Sequence, residues 1–396
     1  MIFSKLNNRN KHGLWPTPEQ ELLLDACLLE GESGFNAWKK WHKLVDVEKL
    51  DTGSFRLLPL LYHNLQGLLP EGPLLSKYKS VYQYTWYKNH IVFHKTAKLI
   101  EVFNKKAIKT MVLKGIALIE NYYKDFGIRP MNDIDLLVPL DKAPESINLL
   151  KELGWKLEKP ISSNLDNLFF SINRAITLKD KDGFLLDLHF FTQTECKCPG
   201  DDDILWEKAI PLNINNVRTN SLNSTLLLLQ VLLRGILLDT VTNLRWITDA
   251  YMILNNKEKQ IDWDLFLETA TRRYAVIPLK KALSYHKKRY KTAIPDIVIP
   301  ALNSKKVLLL DKIGYKVRTT RTELLGDLPK MMMNYFYLSR SSEGVSKISF
   351  FKYLKVYWEL DTLRKLPKLV LAKIRHRFVK YIFNIMNVII YFIFRI

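Results

Sequence analysis

The sequence predicts an α+β protein in which a small mixed α/β core is flanked by N- and C-terminal helical regions. Three observations carry that expectation. Apolar residues recur at helical spacing from about residue 18 to 100. Between about residues 107 and 215 the pattern switches to short β-rich runs alternating with helices and ending in a hairpin. From about Leu222 the helical spacing returns.

The elements follow in chain order. Pro18-Glu19-Gln20 before "ELLLDACLLEG" suits a helix start, with Gly31 as its stop. "FRLLPLLYHNLQGLLP" and the long stretch ending "TAKLIEVFNKKA" continue in the same style. There Tyr82, Trp86 and Tyr87 form an aromatic stripe, read as helix packing rather than a base-stacking surface. "IKTMVLKG" is a β-rich run, "IALIENYYKDFG" a helix closed by Gly127, and "DIDLLVP" a strand. "APESINLLKELGW" is a second helix capped by Gly154, and "RAITLKDKDGFLLDLHFF" a hairpin turning at Lys181-Asp182-Gly183. The expected divisions are a helical region over 1–105, an α/β core over 106–215, a helical domain over 216–300 and a basic, aromatic extension over 301–396.

Composition bounds the function. The 396 residues are ample for a core, and 47% hydrophobic with 25% charged is globular rather than disordered. Three cysteines build no disulfide framework, which points to a reducing, cytoplasmic setting. Cys196 and Cys198 with His189 supply too little of a tetrahedral zinc site. A net charge of +20 points to nucleic acid, an anionic membrane surface or an acidic small substrate such as a nucleotide. The start lacks the apolar core of a signal peptide, and no segment reaches the ~20 apolar residues of a spanning helix. The basic stretch over 361–396, leading into an apolar, aromatic end, suits either a peripheral anchor on an anionic membrane or a final packed helix.

The chemistry is expected in "MVLKGIALIENYYKDFGIRPMNDIDLLVP", Met111 to Pro139. Asp133 and Asp135 lie one residue apart in an apolar run, where carboxylates are costly unless paired or used. On a strand they face the same way, while Ile134 and Leu136 enter the core. Adjacent carboxylates repel unless a cation lies between them, and Mg²⁺ or Mn²⁺ resolves this while sharing its shell with substrate phosphates. In "GFLLDLHFF" the alternation sets Asp187 and His189 on one face, so Asp187 can join the pair if the two strands are neighbours. Three carboxylates suit two metal ions, one activating the attacking hydroxyl and one on the leaving phosphate, with Asp187 a ligand and proton acceptor. The plainer alternative for the aspartates is a cap or a solvated strand end. Gly115, after Lys114, would let backbone approach a phosphate at the start of a helix. Arg129, held extended by Pro130, is either a phosphate ligand or a structural partner for a carbonyl or aspartate.

Together these residues resemble the polymerase-β-type nucleotidyltransferases, and "LKGIAL", "RPMNDIDLLV" and "LDLHF" in this order resemble a bacterial family known as uncharacterised nucleotidyltransferases. The flanks "FRLLPLLYHNL" and "LRWITDAYMIL…IDWDLF" are similar to that family too. The resemblance implies a mixed-sheet nucleotidyltransferase core. It places Gly115 on the phosphate turn, Asp133 and Asp135 on the metal pair, and Asp187 on the third carboxylate. Lys114, Arg129 and His189 match positions typical of the family and are expected to bind nucleotide. The chain departs from the pattern where Ile116 and Ala117 follow the glycine in place of Gly-Ser or Gly-Gly, and where Arg234 replaces an expected histidine. The implied activity is transfer of an NMP from an NTP to a hydroxyl or phosphate acceptor, releasing pyrophosphate. The acceptor could be saccharide, lipid-linked, protein or RNA. The alternative is a catalytically silent module binding nucleotide or a partner.

Overall fold

The computed structural model describes residues 15–158, 167–193, 200–237, 244–319, 328–341, 348–358, 360, 362 and 364. Cys196, Cys198 and the 361–396 tail, apart from positions 362 and 364, lie outside them.

The first helix, α1 (Pro18–Leu28), starts where the sequence directs, because Thr17 and Gln20 satisfy each other's backbone N–H groups in a capping box. Gly31, at φ 58°, breaks the chain into α2 (Gly31–Leu44). After α3 (Leu58–Leu65), α4 (Pro73–Lys105) runs 33 residues, with neither glycine nor proline after its first position. It buries Val92, Phe93, Ile100 and Phe103 along one side. Within the aromatic stripe, Tyr82 is a packing residue. Its hydroxyl donates to Asp125 at 2.7 Å, and its ring fills the space a Cβ on Gly127 would need. Trp86 and Tyr87 face solvent.

A seven-stranded mixed sheet follows. Its members are β1 (Met111–Val112), β2 (Asp133–Leu137), β3 (Lys156–Leu157), β4 (Ala175–Lys179), β5 (Leu185–His189), β6 (Ile210–Ile214) and β7 (Val217–Ser221), in the order β3-β4-β5-β2-β1-β7-β6. β2 pairs in parallel with β5 and antiparallel with β1, while β1 runs parallel to β7. The β4–β5 hairpin turns as expected, with Gly183 at φ 89°. The β6–β7 hairpin was not anticipated. It turns on Asn215-Asn216, both left-handed at φ 46° and 67°, and carries the sheet past residue 215 to Ser221.

The helix after β1 also differs from expectation. α5 (Lys114–Leu118) passes into a π turn over Ile119–Tyr123 that ends on left-handed Lys124, ahead of Gly127. Gly127 is explained by Tyr82 rather than by capping. Next, α6 (Ala143–Glu152) forms where the sequence indicates, burying Ile147, Leu149 and Leu150, and Gly154 at φ 85° follows it. Four helices then follow: α7 (Ser224–Leu237), α8 (Arg245–Leu254), α9 (Trp263–Arg272) and α10 (Val276–Tyr290). One continuous apolar core runs from Leu23 through the sheet to Leu302. A smaller core joins Ile172 to α11 (Leu328–Ser341) and α12 (Phe350–Tyr357). Among the described residues no helix is long and apolar enough to cross a membrane.

Candidate active site

Strand register assembles the acids. In the parallel β2–β5 pair, Asp135 lies opposite Asp187, with Asp133 opposite Leu185 and Leu137 opposite His189. Ile134 and Leu136 are fully buried in the core, as the alternation requires. Oδ1 of Asp135 accepts from the Lys114 ammonium and lies 3.0 Å from Nε2 of His189. On β4, Thr177 pairs with Asp187 and donates its hydroxyl to Oδ1 at 2.6 Å.

Ligand atoms of Asp135, Asp187 and His189 all lie within 4.8 Å of one another. Two carboxylates and an imidazole, with Nδ1 of His189 buried and unpartnered, form a donor set that fits a divalent cation. Asp133, expected beside Asp135 in the metal set, stands outside this group but within its field. Burial and the neighbouring Asp135 charge push its carboxyl up. Burial also works to raise Asp135, yet Lys114 and His189 outweigh it and hold that carboxyl well below the usual range. Burial, and then the Lys114 charge, bring His189 down to about 4, leaving the neutral imidazole that a ligand must be. Lys114 is itself pushed down by burial, with Asp135 opposing.

The glycine turn is built differently from its expected form. The left-handed residue is Lys114, at φ 49°, not Gly115. A side chain at Gly115 would meet Sδ of Met131 at 2.5 Å and Nη1 of Arg129 at 2.9 Å, so glycine is required by protein packing at this point. Non-glycine residues in this region cost roughly 1 kcal/mol or more and concentrate at functional sites. Here the strain coincides with the contact between the lysine ammonium and Asp135.

Beside the acids lies a cavity of about 200 Å³ walled by the turn, β2, α7 and α8. Asp133, Asp135 and Asp249 line it with five cations, Arg56, Lys114, Arg129, Arg234 and Arg245. That balance suits an anionic ligand. Arg129 takes the structural alternative for two of its donors, with Nε and Nη2 donating to Asp249 at 2.7 and 2.8 Å. The Tyr123 hydroxyl adds a third bond to Asp249, and Arg245 donates to the Pro130 carbonyl at 2.6 Å. The sequence reading missed Arg56, Arg245 and Asp249. The signal for the last two was present, since a basic and an acidic residue four apart interrupt the apolar helix "RWITDAYMIL".

No curated protein matches the sequence. Among solved structures, the antibiotic-resistance factor ANT(2'')-Ia is 13% identical at a TM-score of 0.34, covering 50% of this chain and 98% of its own. An antigenic nucleotidyltransferase-like protein from Paracoccidioides brasiliensis is 16% identical at a TM-score of 0.33, covering 55% of this chain and 94% of its own. Likenesses this loose carry no argument about the site. The family model matches residues 52–291, a span that includes the glycine turn, both acidic strands, α7 and α8. The chain belongs to the family described as uncharacterised nucleotidyltransferase.

Proposed function

We propose that this protein transfers a nucleoside monophosphate from an NTP to a hydroxyl or phosphate acceptor, with release of pyrophosphate and dependence on Mg²⁺ or Mn²⁺. The observation that carries this reading is the Asp135–Asp187 register with His189, whose Asp135 lines a cavity richer in cations than in acids. Asp135, Asp187 and His189 would hold the divalent cation, with Asp133 at the rim. When bound, the cation supplies charge neutralisation at the phosphates and an acidified acceptor hydroxyl. Lys114, Arg56 and Arg245 bind the triphosphate, and Arg129, fixed by Asp249, shapes the wall against which it rests. Thr177 orients Asp187, whose second oxygen takes the acceptor's proton where the acceptor is a hydroxyl. Catalysis is then mostly positioning and charge compensation.

One observation favours the silent alternative: the Lys114 ammonium already occupies Asp135. Incubation with each α-labelled NTP and Mg²⁺ or Mn²⁺, with a low-molecular-weight cell extract as acceptor source, separates the two. Release of pyrophosphate that Asp187→Asn abolishes supports transfer. NTP binding without pyrophosphate under every condition sinks it and supports the silent module.

A further inference from the structure

The long helix α4 carries an exposed aromatic face that the transfer reaction does not use. Tyr84 and Tyr87 are 63% and 62% exposed there, and Trp86 is 46% exposed. Single exposed rings are ordinary, but three within four residues form a patch. The patch is held in place. Trp86 lies against His90 with ring centroids 4.0 Å apart, and His90 stacks on Phe126 at 4.1 Å. From the opposite side of the helix the buried Asn89 donates to the carbonyls of Phe126 and Arg129 at 2.7 and 2.8 Å, which fixes the rotation of α4.

Positive charge accompanies the rings. α4 holds six lysines and one acid, Glu101. Lys77 pairs with Glu48, Lys95 with Asp180 and Asp182, and Lys105 with Glu101. Among the described residues Lys79, Lys88 and Lys98 make no ion pair. At 3.6 residues per turn, Lys79 and Lys88 fall on either side of the Tyr84–Tyr87 stripe, and Lys98 continues it. From Lys79 to Lys98 the face is about 28 Å long.

These features select the partner. A second copy of the chain, docked across a twofold axis, would bring lysines against lysines. A membrane would have to admit Gln83 and His94, which share the stripe, and α4 offers it no exposed aliphatic side chain. Flat rings flanked by unpaired cations suit successive unpaired bases and the phosphates that join them.

We propose that this face of α4 binds a single-stranded nucleic acid, with bases stacked on Tyr84, Trp86 and Tyr87 and phosphates on Lys79, Lys88 and Lys98. The proposal does not rest on nucleotidyl transfer, because the face is turned away from the Asn89 side that holds the Arg129 backbone.

The test uses the full chain with fluorescein-labelled oligo(U) and oligo(dT) of about ten nucleotides, within the usual range of site sizes. Fluorescence anisotropy measures binding from about 50 to 200 mM salt. A single strand should bind, with log K falling against log salt at a slope of about −2 for three phosphate contacts, and the tighter of the two names the sugar. The double variant Tyr84→Leu, Tyr87→Leu should weaken binding about tenfold or more, because leucine cannot stack. Tyr84→Phe, Tyr87→Phe should stay within about twofold of the natural protein, because phenylalanine can. Circular dichroism checks the fold of each. A duplex of the same length, bound by charge alone, should be held equally by both variants. Failure of both strands to bind overturns the proposal, as does an unchanged affinity in the leucine variant. So does a loss for the duplex as large as for the single strand. Competition by phosphatidylserine vesicles or polyglutamate as strong as by unlabelled strand assigns the face to another partner and overturns it too. The same holds for a dimer, seen by analytical ultracentrifugation, that the leucine variant dissociates.

Discussion

Replacing Asp249 by asparagine removes the negative charge from a buried pair while keeping its shape. Asp249 is 4% exposed and Arg129 8%, and they share two hydrogen bonds at 2.7 and 2.8 Å. Charge-assisted hydrogen bonds contribute roughly 1.5–3 kcal/mol each, and asparagine keeps one acceptor, so one such bond is lost outright. The guanidinium is also left in a dry site without its counter-charge, a change that by itself costs about 3–5 kcal/mol when one partner of a buried pair is removed. Because asparagine retains part of the bonding, the expected loss is at the lower end, about 3 kcal/mol. Urea unfolding followed by tryptophan fluorescence measures it, with Trp246 on the same helix as Asp249. The double variant Arg129→Met, Asp249→Leu should lose much less than the sum of its single changes, with a coupling of about 2 kcal/mol or more. A loss under about 1 kcal/mol in Asp249→Asn, or strict additivity in the double variant, would refute a desolvated pair and return Arg129 to the list of free phosphate ligands.

Three further outcomes are expected. Asp187→Asn keeps an acceptor for the Thr177 hydroxyl, so pyrophosphate release should vanish while the far-UV circular dichroism stays unchanged. Gly115→Ala places a methyl 2.5 Å from Sδ of Met131, and equilibrium unfolding should register about 1–3 kcal/mol of overpacking together with weaker nucleotide binding. Arg174→Gln should stabilise the ligand-free protein. Burial and the Arg234 charge lower the Arg174 guanidinium to about 10, which means its charged form is disfavoured in the folded chain, and at neutral pH its removal returns roughly 1–3 kcal/mol, read as a higher melting temperature.

What could be read from the sequence was local or periodic. The capping box at Thr17, the β4–β5 hairpin and the two acidic strands all follow from neighbours a few residues apart. Asp187 was recoverable because the side-chain period of two in "LLDLH" puts it on the polar face, and a parallel neighbour then brings it opposite Asp135. The β6–β7 hairpin was missed although its signal was present, since Asn-Asn suits a turn with two left-handed residues. The π turn and the left-handed Lys114 were not legible, because packing rather than propensity sets them. Nor was the partner of Arg129, which lies 120 residues away on a helix whose docking no local pattern encodes. The same holds for Arg56, brought to the cavity by the N-terminal helices.

The contact between Lys114 and Asp135 has a thermodynamic corollary. The protein carries a tethered counter-ion, so the buried Asp135 is already balanced when the chain finishes folding. The fold need not wait for a divalent ion, and stability in chelator should match stability in buffer. Loading the site is then an exchange of one cation for another, whose apparent affinity is a difference between two preferences. The released ammonium stays within reach of the phosphates that arrive with the incoming ion.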